Sequence, residues 1–432
     1  MSYNRRSFLQ KLSLVSGAMT IPHLLPEAIA KPLESARKRV EGQSAEEVAK
    51  DESFWYQVML SYTVSPLILN MNNGGVSPQP RVVQEVVERL NVMSNELPSM
   101  YMWRFINAGK EPLRGELARL AGCDIEEVAV NRNASEALET VIFGLRLKRG
   151  DEVVLSKQDY PNMINAWKQR AHRDGIVLKW VDFEVPCTNN EYLVQQYNNA
   201  FTSKTKVVHI THMINWTGQV LPVRGIADAA KKRGIEVLVD GAHSFAQLQY
   251  KISELNCDYF GTSLHKWLCA PFGTGMLYVR KEKIKKMYPL LAAPDPEEDN
   301  IRKFENLGTR SIAIEQAIGH AINFHEYIGA DRKEKRLFYL KNYWAEKAAQ
   351  LPGVQVLTPL DKGFSGAIGL FSIAGMTPVE VLNFLYKKPY RIHASVVDWE
   401  NIQGVRITPN VYTLTKDLDR LLMAIKTCIE TK

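Results

Sequence analysis

Between Val128 and Val279 short β-branched runs alternate with amphipathic helical stretches, and this alternation limits the possible fold more than any other feature of the chain. The runs are Val153-Val154-Leu155, Val177-Leu178-Lys179-Trp180-Val181, Val207-Val208-His209-Ile210 and Val237-Leu238-Val239. Parallel strands need crossover connections of helical length, so the pattern predicts an α/β fold with a mostly parallel sheet flanked by helices. Open sheets of this kind bind ligands beyond the carboxyl ends of their strands. The polar residues that directly follow the apolar runs are therefore the first candidates for chemistry.

The rest of the chain is organised around this block. Pro78 and Pro80 open a helix whose Val82, Val83, Val86, Val87 and Leu90 make one apolar stripe, and a second helix from Leu113 stops at Gly122. A large domain is expected over 71–300. Residues 31–70, rich in Glu, Lys and Ala, read as a peripheral helical arm, and 290–305, rich in Pro, Asp and Glu, as a solvated loop. Helical segments over 311–350 and strand-like runs at 353–358, 366–373 and 403–408 predict a smaller α+β domain over 301–432.

The first thirty residues resemble an export signal. Asn4-Arg5-Arg6-Ser7-Phe8-Leu9 is similar to the twin-arginine motif, an interrupted apolar stretch runs from Leu12 to Leu25, and Ala28-Ile29-Ala30 gives a small-x-small cleavage site. The expectation is passage through the twin-arginine machinery into the periplasm, cleavage after Ala30, and no membrane attachment afterwards. A spanning helix needs about 20 consecutive apolar residues, more than this stretch or any later one offers.

Composition removes several alternatives. With 45% apolar and 23% charged residues the chain is neither disordered nor fibrous. The net charge of +7 is spread without a Lys/Arg block, so no nucleic-acid partner is expected. Five cysteines without C-x-x-C or His/Cys ligand spacing predict neither a disulfide framework nor a metal site.

Three clusters follow the apolar runs. Asp240-Gly241-Ala242-His243 ends one strand, and Ser263-Leu264-His265-Lys266-Trp267 follows another, ahead of the Gly273-Thr274-Gly275 turn. Asn131-Arg132-Asn133-Ala134-Ser135 leads a strand directly into a helix N-terminus, which is suited to a phosphate. Each residue alone has an ordinary structural explanation: Asp240 as a strand-end cap, His243 and His265 as satisfied polar groups, Tyr160 as packing. Their joint order and spacing has none.

Together these clusters resemble the pyridoxal-phosphate enzymes of aminotransferase class V, over roughly Leu69 to Leu421. The resemblance implies the fold-type-I architecture and pyridoxal 5'-phosphate as cofactor. It implies that Lys266 bonds to the cofactor aldehyde and afterwards moves the substrate Cα proton, and that Asp240 pairs with the pyridinium nitrogen. It places Ser135 and the amides around Ala134, with Ser263 and His265, on the phosphate. Tyr160 falls on the cofactor face, and Asn215 and His243 at the ring hydroxyl. Thr309, in Gly308-Thr309, matches a residue that reaches the phosphate of a neighbouring subunit, which implies a homodimer. Arg406, in Gly404-Val405-Arg406-Ile407-Thr408-Pro409, matches the arginine that clamps a substrate carboxylate, a task suited to a planar two-pronged donor. The turn at Asn72-Asn73 is a further candidate for the substrate pocket, with Asn73 taken as the contact.

The segment Tyr390 to Trp399 holds no cysteine, where cysteine desulfurases carry their nucleophile, so persulfide chemistry there is excluded. What remains resembles the isopenicillin-N-epimerase-like branch: reaction at the α-carbon of an amino acid or a peptide-borne amino group, ending in racemisation, transamination or elimination. A carbon–sulfur lyase without a persulfide cysteine and a non-catalytic cofactor-binding module are the alternatives.

Overall fold

The computed structural model describes residues 25–431, so the arginine pair of the expected export signal lies outside the described residues. Three helices come first: α1 (Glu27–Arg39), α2 (Ala45–Lys50) and α3 (Glu52–Leu60). Ala28-Ile29-Ala30 sits in the first turns of α1, with Ala30 buried. Residues 31–70 are not peripheral, because Val40, Val48, Phe54, Trp55 and Val58 are wholly buried. The Trp55 indole donates to the Val48 carbonyl at 2.7 Å, and the buried Arg336 reaches Ala49 O at 2.9 Å. Burying two large aromatic rings outweighs the polar composition of the segment.

Strand β1 (Leu69–Asn70) then precedes α4 (Arg81–Glu96) and α5 (Lys110–Ala121). Helix α4 buries Val82, Val83, Val86, Leu90 and Met93 along one stripe, and α5 ends at Gly122, whose φ of 70° lies in the left-handed region.

The central block follows as β2 (Val128–Asn131), α6 (Ala134–Gly144), β3 (Glu152–Ser156), α7 (Pro161–Asp174), β4 (Val177–Val181), α8 (Asn190–Ala200), β5 (Thr205–Thr211), α9 (Val223–Lys231), β6 (Glu236–Asp240), β7 (Tyr259–Ser263) and β8 (Gly275–Val279). The sheet order is β2-β8-β7-β6-β5-β3-β4; strands β4, β3, β5, β6 and β7 run parallel, and β8 is antiparallel to both its neighbours. Alternate residues serve opposite faces. Val154, Val208, Val237 and Val239 join the core that includes α4, whereas Val153, Leu155, Val207 and Leu238 pack with α6 and α7. Burial on both faces explains why these strands read as unbroken apolar runs.

Past the sheet, the first half of 290–305 is exposed but its end is not a solvated loop. Buried Glu305 accepts from Arg114 Nη1 at 2.5 Å and from the Val130 amide at 2.7 Å, and it meets Lys110 at 2.8 Å. That ion pair draws the segment onto β2.

Two long helices, α10 (Ile312–Ile328) and α11 (Ala330–Ala348), lead into β9 (Val354–Val356), β10 (Gly369–Ile373), α12 (Pro378–Tyr386), β11 (Ile392–His393), β12 (Ser395–Trp399), β13 (Ile402–Ile407) and α13 (Thr415–Glu430). Helix α10 packs into the main core, so the smaller unit proper consists of the antiparallel sheet β12-β13-β10-β9 covered by α11, α12 and α13. Strand β1 pairs in parallel with β11, Leu69 opposite Ile392 and Asn70 opposite His393, which ties the chain entering the large domain to the small one.

Candidate active site

A cavity of about 500 Å³ opens at the carboxyl end of the parallel strands. Next to its lining residues Asp240 and Asn133 stand two glycine positions that accept no side chain. A Cβ on Gly241 would lie 1.8 Å from the Phe260 ring, and one on Gly275 would lie 2.7 Å from the Asn133 backbone. Asp240 ends β6, Ser263 ends β7, and Lys266 stands in the turn that follows, so the register of two adjacent parallel strands brings carboxylate and amine together.

The N-terminus of α6 closes one end. Of its first amides, Ala134 N–H donates to Ser263 Oγ at 2.8 Å and Glu136 N–H to Asn133 Oδ1 at 2.9 Å, while Ser135 between them lines the cavity. Unsatisfied amides at a helix start are an anion site. His265 is held by contact of its Nδ1 with Thr274 O at 3.1 Å. Tyr160 caps α7, and its ring centroid lies 5.9 Å from Lys266 Nζ.

Burial sets the charges. It pushes the Lys266 ammonium down to about 8, with Asp240 opposing and Arg406 assisting, and it raises the Asp240 carboxyl even though the Ala242 amide donates to Oδ1 at 2.9 Å. His243 is held well below its ordinary value by burial, then by Lys266 and Arg406. Its tautomer follows from its partners. The Trp267 indole can only donate, and it does so to His243 Nδ1 at 3.3 Å, so the neutral ring carries its proton on Nε2. Nε2 faces Lys266 Nζ at 3.1 Å, an arrangement that suits a neutral amine accepting that proton.

Arg406, on β13, is 7% exposed. Its Nη1 donates to Asn215 O at 2.9 Å and its Nη2 to Asn72 Oδ1 at 3.0 Å, while buried Nε has no partner. Burial pushes the guanidinium down to about 10. No carboxylate meets it among the described residues, so a buried cation faces the cavity uncompensated.

Of the residues expected from sequence, Ala134, Ser135, Tyr160, Asn215, Asp240, His243, Ser263, His265, Lys266 and Arg406 all line this one cavity. Two do not. Asn73 is wholly buried beneath the turn, donating to Thr408 O at 2.8 Å and accepting from the Tyr412 hydroxyl at 2.5 Å, and its neighbour Asn72 makes the contact with Arg406. Thr309 is exposed in the loop before α10, away from the cavity of its own chain.

Sequence reasoning passed over Trp216, which lines the cavity and stacks on Trp399 with centroids 5.6 Å apart. It also passed over Trp267 as the group that orients His243. Trp399 in turn donates to Lys157 O at 2.8 Å, joining the small unit to the loop that carries Tyr160.

The donor set fits pyridoxal phosphate. An anion site, a buried carboxylate, a deprotonatable lysine and an aromatic face are present, and the buried Asn215 Oδ1 is left without a partner at the cavity.

Comparison with known proteins agrees. Two solved structures of the cystine C–S lyase C-DES, one of them a mutant with glycine covalently linked to its PLP cofactor, superpose with a TM-score of 0.75 at 20% identity over 84% of this chain and 97–98% of theirs. The isopenicillin N epimerase of Streptomyces clavuligerus is 28% identical over 389 residues, 86% of this chain and 97% of its own. A probable cysteine desulfurase of Halalkalibacterium halodurans is 28% identical over 339 residues, 74% of this chain and 82% of its own. Residues 70–420 match the family model described as aminotransferase class-V. The chain is a pyridoxal-phosphate enzyme of fold type I and belongs to the aminotransferase class V family.

Proposed function

We propose that this enzyme acts at the α-carbon of an amino acid or of a peptide-borne amino group, as an epimerase or transaminase, using Lys266 to move the Cα proton. The observation that carries this reading is the unpaired, buried Arg406 guanidinium at the cavity that also holds Lys266, whose ammonium burial pushes down to about 8. A carboxylate on the reacting molecule supplies the anion that Arg406 lacks, with two charge-assisted hydrogen bonds that fix its orientation.

Pyridoxal phosphate, when bound, supplies a ring that draws electrons from the α-carbon and so acidifies its proton. Asp240 would hold the ring nitrogen, Asn215 and His243 the ring hydroxyl, and Ser135, Ser263 and His265 the phosphate. Lys266 can take the proton because burial lowers its ammonium to about 8, which brings the free amine within reach just above neutrality, and His243, locked by Trp267, keeps the amine oriented without competing as a base. No cysteine lines the cavity; Ser395 stands there instead, which argues against persulfide chemistry. Elimination by a carbon–sulfur lyase without a persulfide cysteine on the enzyme is the second reading; the cystine C–S lyase C-DES shares this fold.

The reading includes export by the twin-arginine route, supported by Arg5-Arg6 and the small residues before Lys31, and a homodimer, supported by the exposure of Thr309 away from its own cavity. The test of the chemistry is exchange of the Cα hydrogen in deuterated water, followed by proton NMR for a panel of free amino acids and peptides. Exchange by wild type and none by Lys266→Ala is expected. No exchange with any amine, or equal exchange by the variant, would overturn the reading. Arg5→Lys with Arg6→Lys should retain the protein in the cytoplasm, and light scattering should give twice the chain mass.

A further inference from the structure

The antiparallel pair β12 and β13 has different surroundings at its two ends. Ser395 stands directly opposite Arg406, and both line the catalytic cavity. Trp399 closes the other end, opposite Ile402, beside a tip whose Asp398, Glu400 and Asn401 are exposed. Residues two apart on a strand share a face, so Ser395, Val397 and Trp399 point the same way, with Arg406 on that face as well. At about 3.4 Å per residue, Trp399 lies about 13 Å along the strand from Ser395.

Trp399 is fastened to the large domain twice. Its ring stacks on Trp216, 5.6 Å between centroids and 21° between planes, and its indole N–H donates to Lys157 O at 2.8 Å. Lys157 directly follows β3 and Trp216 stands in the segment after β5, and these strands are neighbours in the sheet. The first segment leads to Tyr160 and the second holds Asn215, both at the cavity. Arg406 donates to the Asn215 carbonyl at 2.9 Å, so two side chains of one hairpin hold two consecutive residues of one wall. Val397 and Ile402, buried in one small cluster, also pack against Trp216.

This fastening answers an electrostatic difficulty. Among the described residues no carboxylate meets the buried Arg406 guanidinium, and an uncompensated buried cation favours any movement that carries it toward water. An aromatic stack and an indole hydrogen bond at the far end of the hairpin oppose that movement. We propose that Trp399 is a positioning residue: by latching hairpin β12–β13 to Trp216 and Lys157, it keeps Arg406 aimed into the cavity before a substrate carboxylate arrives. The inference rests on Arg406 being the partner of that carboxylate. A ligand that needs Arg406 then binds in proportion to the fraction of molecules with the hairpin latched, whereas an amine without a carboxylate is indifferent to it.

The test is titration of the holoenzyme with glycine and with methylamine, followed by the absorption of the bound cofactor. Glycine has no side chain for the walls to reject, and methylamine is glycine without its carboxylate. Trp399→Ala should weaken glycine about tenfold and leave methylamine within about twofold of wild type, because only the carboxylate depends on the latch. Trp399→Phe keeps a ring on Trp216 but loses the hydrogen bond; it should weaken glycine about threefold and decides the matter if Trp399→Ala fails to fold. Added to Arg406→Met, Trp399→Ala should bring no further loss for glycine, since the group it positions is gone. Equal losses for both amines, no loss for glycine, or a full additional loss on top of Arg406→Met would overturn the inference and leave Arg406 in its role. Glycine binding unchanged by Arg406→Met itself would overturn the carboxylate reading, and this inference with it.

Discussion

Two buried arginines in this fold stand in opposite electrostatic situations, and replacing each by methionine separates a structural cation from one that awaits a ligand. Arg114 is paired: its two terminal nitrogens reach the Glu305 carboxylate at 2.5 and 3.1 Å, and Nη1 also reaches Val128 O at 2.6 Å. Removing one member of such a pair leaves a buried charge and costs about 3–5 kcal/mol. Arg406 has two carbonyl-type acceptors and no counter-charge. Its fall to about 10 lies more than two decades below the ordinary guanidinium value. At about 1.4 kcal/mol per decade, the native state bears roughly 3 kcal/mol for keeping it charged. Arg406→Met relieves that cost and forfeits two hydrogen bonds worth about 1–2 kcal/mol each, so the net effect falls within about 1 kcal/mol of zero. Denaturant unfolding followed by circular dichroism, variants side by side, should place Arg406→Met at least about 2 kcal/mol above Arg114→Met. The same Arg406→Met variant should lose about a hundredfold in kcat/KM on a free amino acid, for about 3 kcal/mol of lost carboxylate binding. If Arg406→Met unfolds as easily as Arg114→Met, the guanidinium is part of the scaffold and the reasoning fails.

Other outcomes are expected at the same site. Borohydride should fix the cofactor covalently to wild type but not to Lys266→Ala; fixation to both would remove Lys266 from its role. Trp267→Phe frees His243 Nδ1 and should lower kcat about fivefold with KM nearly unchanged, the loss of one hydrogen bond of about 1 kcal/mol; an unaltered kcat would show that the indole does not set the tautomer. Because burial depresses Lys266 to about 8, the unfolded chain holds a proton that the native apoenzyme has lost between pH 8 and the ordinary lysine range. Stability from this group therefore rises with pH across that window and is flat below it. The rise, measured by denaturation of the apoenzyme from pH 8 upward, should vanish in Lys266→Met.

Much of the site was legible because strand ends are legible. Asp240, Ser263 and Lys266 follow runs whose β-branched residues announce buried strands, and the topology of a parallel sheet then forces their approach. Asn72 and Asn73 show where legibility stops: both stand in one turn, and only the bridge from Asn72 to Thr408 decides which side chain faces Arg406. The Trp216–Trp399 stack joins two units far apart in sequence, so no local pattern could pair them. For residues 31–70 the signal was present but outweighed: Phe54-Trp55-Tyr56 is a bulky run inside a polar segment, and two of its three rings are in the core. Thr309 lines no part of its own chain's cavity, and the role the resemblance implies for it belongs to the proposed homodimer.

The two crowded glycines beside the cavity bear on how such an enzyme can diversify. With Gly241 pressed against the Phe260 ring and Gly275 against the Asn133 backbone, drift at these two positions is closed off by packing. New substrate preferences must then arise from the walls, at positions such as Trp216 and Ser395, where a changed side chain alters what fits without disturbing the residues that would hold the cofactor. A combinatorial library restricted to those wall positions should yield folded, cofactor-loaded variants far more often than one that includes the two glycines.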